Sequence, residues 1–467
     1  MVKRPIDFTL PSDEKVMMSQ VHKMYDLFEK LHQAHNEPFF KKLFEKAKQV
    51  LTPEEAEKSY SDFFGSGDFM TEPIFYGGSG AYDFQYLEFA EKKYEKDKEW
   101  INKNKGVGVA TMTKLAAELK KLNEHKSMTS PKPETFGDFC QSVLEVFCFK
   151  TEDIDQFGSE AAKMFLATLS LIPGNVNKDF NTPGVYNAVD SHPIVQLREN
   201  LYFLPVGFNL TRSIYESPFY WMSGDEAYKD SAFTHRGEAT EEIAYEMLAS
   251  VFGKDNVHRD VKVLKNKKER ITDIDVLATA GNKAVIVQAK SKKLTELSRR
   301  GSEENLKADF SEAVQKAYDQ GLICRASIID KNNTLVMSDG KELHLNEFVN
   351  DAYIICLTTD HYPAVTHQVD VYLKKMTEDP YPLAMSIFDF DILAFYLKDP
   401  FEFLYYLRQR VNLSDYYKAS SEITLLACHL RQKLFPRPEV DREALDESFA
   451  QLIDANFPVM KGHHPKT

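Results

Sequence analysis

The chain lacks any apolar run approaching the roughly 20 residues that a bilayer-crossing helix needs, so no membrane partner is expected. Its first residues, "MVKRPIDFTLPSDEK", are basic but carry no apolar core, so no secretory leader is expected. Cysteine is scarce: Cys140, Cys148, Cys324, Cys356 and Cys428 are all there is, and none forms a C-x-x-C pair. Their odd number, and settings such as "YIICLTT", speak for buried free thiols in a reducing compartment, the cytoplasm, rather than for disulfides or zinc. Repeats and low-complexity tracts are missing too. A net charge of −13 excludes a surface that binds polyanions all over.

What is present is the material for a large core. A chain of 467 residues, 43% hydrophobic and 28% charged, has the balance of a globular protein with two or three domains. The charge is uneven. From Lys254 to Arg300, 13 Lys and Arg face 6 Asp and Glu, a balance of +7, which leaves −20 for the remainder. Such a basic island in an acidic protein is a candidate footprint for a polyanion.

Four regions follow from the texture. Residues 1–70 read as a helical segment, for example "DEKVMMSQVHKMYDLFEKLHQAH". Residues 71–230 form a mainly helical accessory domain, opened by the turn-like "FYGGSGAYDF" and containing a strand pair, "HPIVQL" and "NLYFLPV". The aromatic cluster in "SIYESPFYWM" is expected to pack in the core. At about residue 231 the pattern becomes α-β-β-β-α-β and continues to about 365. A helix, "GEATEEIAYEMLASVFG", is followed by the strands "DVKVL", "ITDIDVLAT" and "AVIVQAK". A second helix, "ENLKADFSEAVQKAYDQG", leads through an extra hairpin, "ASIIDKNNTLVMSDG", to the strand "AYIICLT". Residues 366–467 return to helix, with Asp399-Pro400 as cap and first residue of one of them. The fold class is therefore α+β, or mixed.

The chemistry concentrates in the two central strands. Alternation puts Asp273 and Asp275 on one face of "ITDIDVLAT". Pairing across the Gly281-Asn282 turn brings the end of "AVIVQAK" beside them, with Gln288 and Lys290 sharing a face and Ala289 turned away. A carboxylate, an amide oxygen and an ammonium group thus meet on a small area of sheet. A hard divalent cation takes oxygen ligands of this kind, and a neighbouring lysine orients water and offsets transition-state charge. The preceding helix adds Glu241, which shares the stripe of Ala244 and Leu248, while Glu242 and Glu246 fall towards solvent. Asp389 and Asp391 read as capping residues. Gln315 reads as a surface glutamine.

Asp275, Gln288-Ala289-Lys290 and the upstream Glu241 resemble the PD-(D/E)xK nuclease superfamily, the restriction-endonuclease-like fold, in its Mrr-like and nuclease-related branches. The resemblance covers about residues 231–359. It implies a restriction-endonuclease-like core flanked by mainly helical N- and C-terminal regions, and an endonuclease that hydrolyses nucleic acid with Mg²⁺ or Mn²⁺. Asp275, Glu241 and Gln288 would hold the metal, Lys290 would serve the attacking water, and the product would carry a 5′-phosphate. Lys292, Lys293, Arg299 and Arg300 would touch phosphate, with DNA favoured over RNA. Defence against foreign DNA, antiviral defence included, or repair is the usual setting. The sequence departs from the pattern in two ways: no proline precedes the aspartate, and Gln288 replaces the usual second acid. Asp273 competes with Asp275, which fits "IDVLA" in register. The alternative is a degenerate nuclease fold that binds nucleic acid or acts as a scaffold without cutting. The helical flanks leave room for self-association or a partner protein.

Overall fold

The computed structural model of the chain describes residues 13–48, 52, 53, 55, 80–174, 176–182, 184–419, 421–439 and 441–463. Much of the glycine-rich turn near residue 77 and part of the first helical segment therefore lie outside the described residues. The chain forms two compact units that divide between His235 and Arg236, each also taking part of the N-terminal region.

The first unit is mainly helical. Its helices include α1 (Glu14–Ala47), α2 (Asp83–Lys93), α3 (Val109–Thr129), α4 (Phe136–Phe147) and α5 (Gly207–Ser223). A small sheet combines β1 (Cys148–Phe149), β2 (Ser170–Leu171), β3 (Ile194–Arg198) and β4 (Leu201–Phe203) in the order β1-β4-β3-β2. β3 and β4 are the expected strand pair; they run antiparallel and turn at Asn200, which has a left-handed conformation. Part of the aromatic cluster packs inward: Tyr215 is fully buried with its ring 5.5 Å from Tyr86, and Phe219 is buried too, whereas Tyr220 is exposed.

Helix α6 (Lys229–Phe252) crosses the unit boundary and stops at Gly253, whose φ of 82° suits glycine. β5 (Val257–Lys265), β6 (Glu269–Ala280) and β7 (Lys283–Lys290) follow. Gly281, with φ 54°, makes the expected β6–β7 turn. Then come α7 (Glu303–Phe310), a π-helical turn at Ser311–Gln315, α8 (Lys316–Ile329), β8 (Asn333–Val336) and β9 (Asp351–Thr358). The remainder holds α9 (Val365–Tyr372), β10 (Leu383–Ser386), α10 (Ile387–Tyr396), α11 (Pro400–Asn412), α12 (Glu422–Gln432) and α13 (Gln451–Met460).

The large sheet has the order β10-β9-β7-β6-β5-β8. β8, β5, β6 and β7 run antiparallel in turn, whereas β9 lies parallel to β7 and β10 parallel to β9. A parallel return needs a long crossover, which α7 and α8 supply. β7 sits in the interior of the sheet with Ala284–Val287 at 0% exposure, which is why "AVIV" is apolar at every position instead of alternating. Burying each Val or Ile stabilises by about 1.5–3 kcal/mol. The mixed α+β class stands as expected. Asp399 caps α11, accepting from the N–H groups of Phe401 and Glu402, and Asp389 completes a capping box with Ser386. All five cysteines are free thiols. Among the described residues no helix is long and apolar enough to cross a membrane.

The expected hairpin after α8 does not form. Ala326–Ile329 are the last turn of α8, not the first arm of a hairpin, and only Asn333–Val336 form a strand there. Gly321 looks like a helix stop, yet α8 runs through it because Cys324 and Ile328, one turn apart, both bury into the sheet core. Gly321 serves close packing instead: a Cβ there would stand 2.5 Å from Ile354 Cγ2. Replacing glycine in a helix normally gains about 1 kcal/mol, but overpacking costs about 1–3 kcal/mol. Gly321→Ala should therefore lower the melting temperature, and adding Ile354→Leu, which removes that γ-methyl, should restore part of the loss; a higher melting temperature for Gly321→Ala alone would contradict this packing.

Candidate active site

The β6–β7 ladder runs from Ala280↔Lys283 to Val276↔Val287 and stops. The next rung would hold Asp275 and Gln288. On the other side, β5 and β6 pair at Arg259↔Val276 and at Val261↔Ile274, with no pair between them. There Asp260 adopts φ 51°, a left-handed conformation that aspartate tolerates better than most residues. The sheet therefore opens along one rung, Asp260–Asp275–Gln288.

The opening also breaks the alternation of faces. Thr272 Oγ1 lies 3.3 Å from Cys324 Sγ on α8. Leu277 pairs with Ile286, on the β7 face from which Gln288 reaches the same sulfur. Thr272 and Leu277, five residues apart, thus face one helix. Simple alternation does not hold through Asp275, and Asp273 and Asp275 have separate surroundings. Asp273 pairs with Arg270. The Asp275 carboxylate accepts the Ala289 N–H at 2.8 Å, taking a backbone donor at the point where the ladder has ended.

Gln288 is fully buried. Its Nε2 donates to the Asp273 carbonyl at 3.0 Å and lies 3.3 Å from Cys324 Sγ. Because a carbonyl only accepts, this fixes which end of the amide is nitrogen. Its Oε1 is left buried without a protein donor, a state that costs about 1–3 kcal/mol unless something else meets the oxygen. Lys290 Nζ donates to Gln320 Oε1 at 3.2 Å, and Gln320 Nε2 donates to the Asp273 carbonyl at 3.1 Å. Gln320, on α8, thereby ties the lysine to β6.

The carboxylates interact. Burial, and then the charges of Asp275 and Asp260, push the Glu241 carboxyl up to about 8, while Arg259 opposes and a hydrogen bond with Asp260 adds to the rise. Asp275 is also raised, chiefly by burial, against the Ala289 N–H and the Lys290 charge, with Asp260 adding to the rise. Glu241 is half-buried, whereas Glu242 and Glu246 are exposed as expected. Asp260 is the carboxylate that the sequence pattern missed.

The basic loop after β7 is tied to acids. Lys292 meets Asp309 at 2.9 Å, Lys293 meets Asp360 at 3.6 Å, and Arg300 meets Glu296 at 3.6 Å. Asp309 also accepts from Thr295 N–H and Ser298 Oγ. Arg299 is exposed at the end of the loop's short helical turn. Gln315 binds the backbone of Lys374 and the side chain of Asp319, a structural tie.

The carboxylate oxygens of Asp275, Glu241 and Asp260 are hard donors, which suit Mg²⁺ or Mn²⁺ rather than a thiophilic metal. Both the orphaned Gln288 oxygen and the mutual repulsion of Glu241, Asp260 and Asp275 would be relieved by a divalent cation, so the residues fit such an ion chemically. As placed, no three His, Cys, Asp or Glu side chains among the described residues stand close enough together to hold one.

No described protein family matches the sequence, and no curated protein does. A solved structure, protein VC1899 from Vibrio cholerae, aligns at 10% identity over 66% of this chain and 56% of that one, with a TM-score of 0.22. The chain spans little more than half of that protein's length.

The raised Glu241 carboxyl gives a pH signature. Its folded value of about 8 lies above the ordinary 4.5, so the fold favours the protonated form. Its contribution to stability is complete below about pH 4.5 and is lost as the pH rises towards 8. In metal-free buffer, the melting temperature of the wild type should fall over that window more than that of Glu241→Gln. Parallel profiles for the two would show that neither burial nor the charges of Asp275 and Asp260 raise the Glu241 carboxyl.

Proposed function

We propose that the second unit is a metal-dependent nuclease of the PD-(D/E)xK type, hydrolysing phosphodiester bonds in nucleic acid, with DNA favoured over RNA. The observation that carries this reading is Asp275. Its carboxylate sits where β6 and β7 part, within electrostatic reach of Glu241 and Asp260 and of Lys290. The sequence of elements supports it: helix α6, three antiparallel strands, crossover helix α8, and β9 parallel to β7.

Asp275, Glu241 and the Gln288 Oε1 would hold Mg²⁺ or Mn²⁺, which when bound polarises the scissile phosphate and lowers the pKa of a ligand water. The protein groups do the rest. Lys290 orients the attacking water and offsets the charge that builds on the phosphate oxygens. Gln320 holds that ammonium group in place from α8. Asp260 adds negative charge beside Glu241 and strengthens the pull on a cation. Lys292, Lys293, Arg299 and Arg300 lie on the loop leaving β7, where substrate phosphates would exchange for Asp309, Asp360 and Glu296. Defence against foreign DNA, or repair, would suit such an enzyme.

A second reading draws on Gln288, whose amide nitrogen is committed to Asp273 and Cys324. In it the site is degenerate, and the unit binds nucleic acid or acts as a scaffold without cutting. Incubating the full chain with plasmid, linear DNA and RNA, with and without Mg²⁺ or Mn²⁺, separates the two. Metal-dependent cleavage is expected, with Asp275→Asn and Lys290→Met each slowing it by at least about 100-fold. No cleavage by the wild type, or cleavage unchanged in both variants, would contradict the nuclease reading.

A further inference from the structure

The β5–β6 hairpin ends in a cluster of cations that the candidate site does not use. Between Lys262 and Arg270, five basic residues accompany a single acid, Glu269. Lys262 and every residue from Lys265 to Arg270 are exposed. Lys267 is paired with Glu342 at 3.1 Å and Arg270 with Asp273. Lys262, Lys265 and Lys268 make no ion pair among the described residues.

Charged strands often serve to block a sheet edge. β5 is not an edge, since β6 flanks it on one side and β8 on the other. The turn itself runs against local preference. Lys268 N–H donates to the Lys265 carbonyl at 3.1 Å, and both Asn266 and Lys267 have positive φ, 51° and 61°. Glycine is the residue favoured after asparagine in such a conformation, and the chain places a lysine there instead. Strained residues of this kind persist most often where they serve a function.

Position supplies the ligand. β6 begins at the tip and carries Asp275, which lies seven positions after Lys268, about 23 Å at strand rise. That is less than one turn of duplex, about 34 Å, along which phosphate charges recur about every 1.7 Å. We propose that the hairpin tip, through Lys262, Lys265 and Lys268, is a second contact for the phosphate backbone of a DNA duplex engaged at Asp275. This rests on the nuclease reading for its choice of ligand. The tip grips the backbone, so its contribution is independent of base sequence and weakens with salt.

The test is binding of a fluorescein-labelled 30-base-pair DNA duplex by the full chain in EDTA, across a series of salt concentrations. The triple variant Lys262→Gln, Lys265→Gln, Lys268→Gln should bind at least about tenfold more weakly at low salt, with a log–log salt slope shallower by about 2–3. Lys267→Gly relaxes the turn and should raise the melting temperature, which shows that the hairpin still folds when a tip charge is removed. Equal affinity and slope for wild type and triple variant would overturn the proposal, even where metal-dependent cleavage is found. Absence of duplex binding by the wild type, or binding of anionic phosphatidylserine vesicles in its place, would overturn it as well. Tip-dependent binding without any cleavage would leave this surface standing and overturn only the nuclease reading.

Discussion

Everything distinctive in the second unit depends on the Asp275 carboxylate accepting the Ala289 N–H. A strand pair that simply continued would have spent that N–H in the ladder, and an aspartate on it would have pointed to one face among ordinary neighbours. With the ladder ended at Val276↔Val287, the carboxylate takes over a backbone donor and is held at the seam between two strands. The same interruption places Asp260 opposite in a left-handed conformation. Burial, and then the charges of Asp275 and Asp260, hold the Glu241 carboxyl up, to about 8. Such an arrangement destabilises the metal-free fold, and a bound cation would reverse the sign.

The surrounding fold makes that arrangement durable. β7 is buried through Ala284–Val287, so its far end is fixed by packing on both faces. Helix α8 closes over one face, where Gln320 and Cys324 converge with Gln288 on the Asp273 carbonyl. Lys290 is reached through that network and makes no ion pair with a carboxylate among the described residues. An ammonium group held by a neutral amide stays available to a phosphate, whereas one locked in an ion pair would first have to give up its acid.

Much of this was legible in the chain. "AVIV" announced an internal strand, Gly281-Asn282 its turn, and Gly253 the end of α6, because each reflects a local rule of backbone or burial. Glu241, Asp275, Gln288 and Lys290 could be named as candidates from strand alternation, helix stride and the family resemblance. Asp260 and Gln320 could not. Asp260 joins the group through a cross-strand rung, and Gln320 through helix-on-sheet packing thirty residues downstream of Lys290; neither contact leaves a periodic trace. Gly321 misled for a related reason, since a glycine chosen for close packing against Ile354 looks, in sequence, like one chosen to end a helix. The cations after β7 were countable, but their pairing with Asp309, Asp360 and Glu296 was not.

Above all, the proposed site requires that this rung bind a divalent cation. Calorimetric titration of Mn²⁺ into the full chain at pH 7 tests it, run in buffers of different ionisation enthalpy. Because Glu241 titrates near 8, it is mostly protonated at pH 7, and binding should be saturable and release about one proton. Asp275→Asn should abolish both the binding and the proton release. Absence of saturable binding, or an isotherm unchanged by Asp275→Asn, would contradict the account.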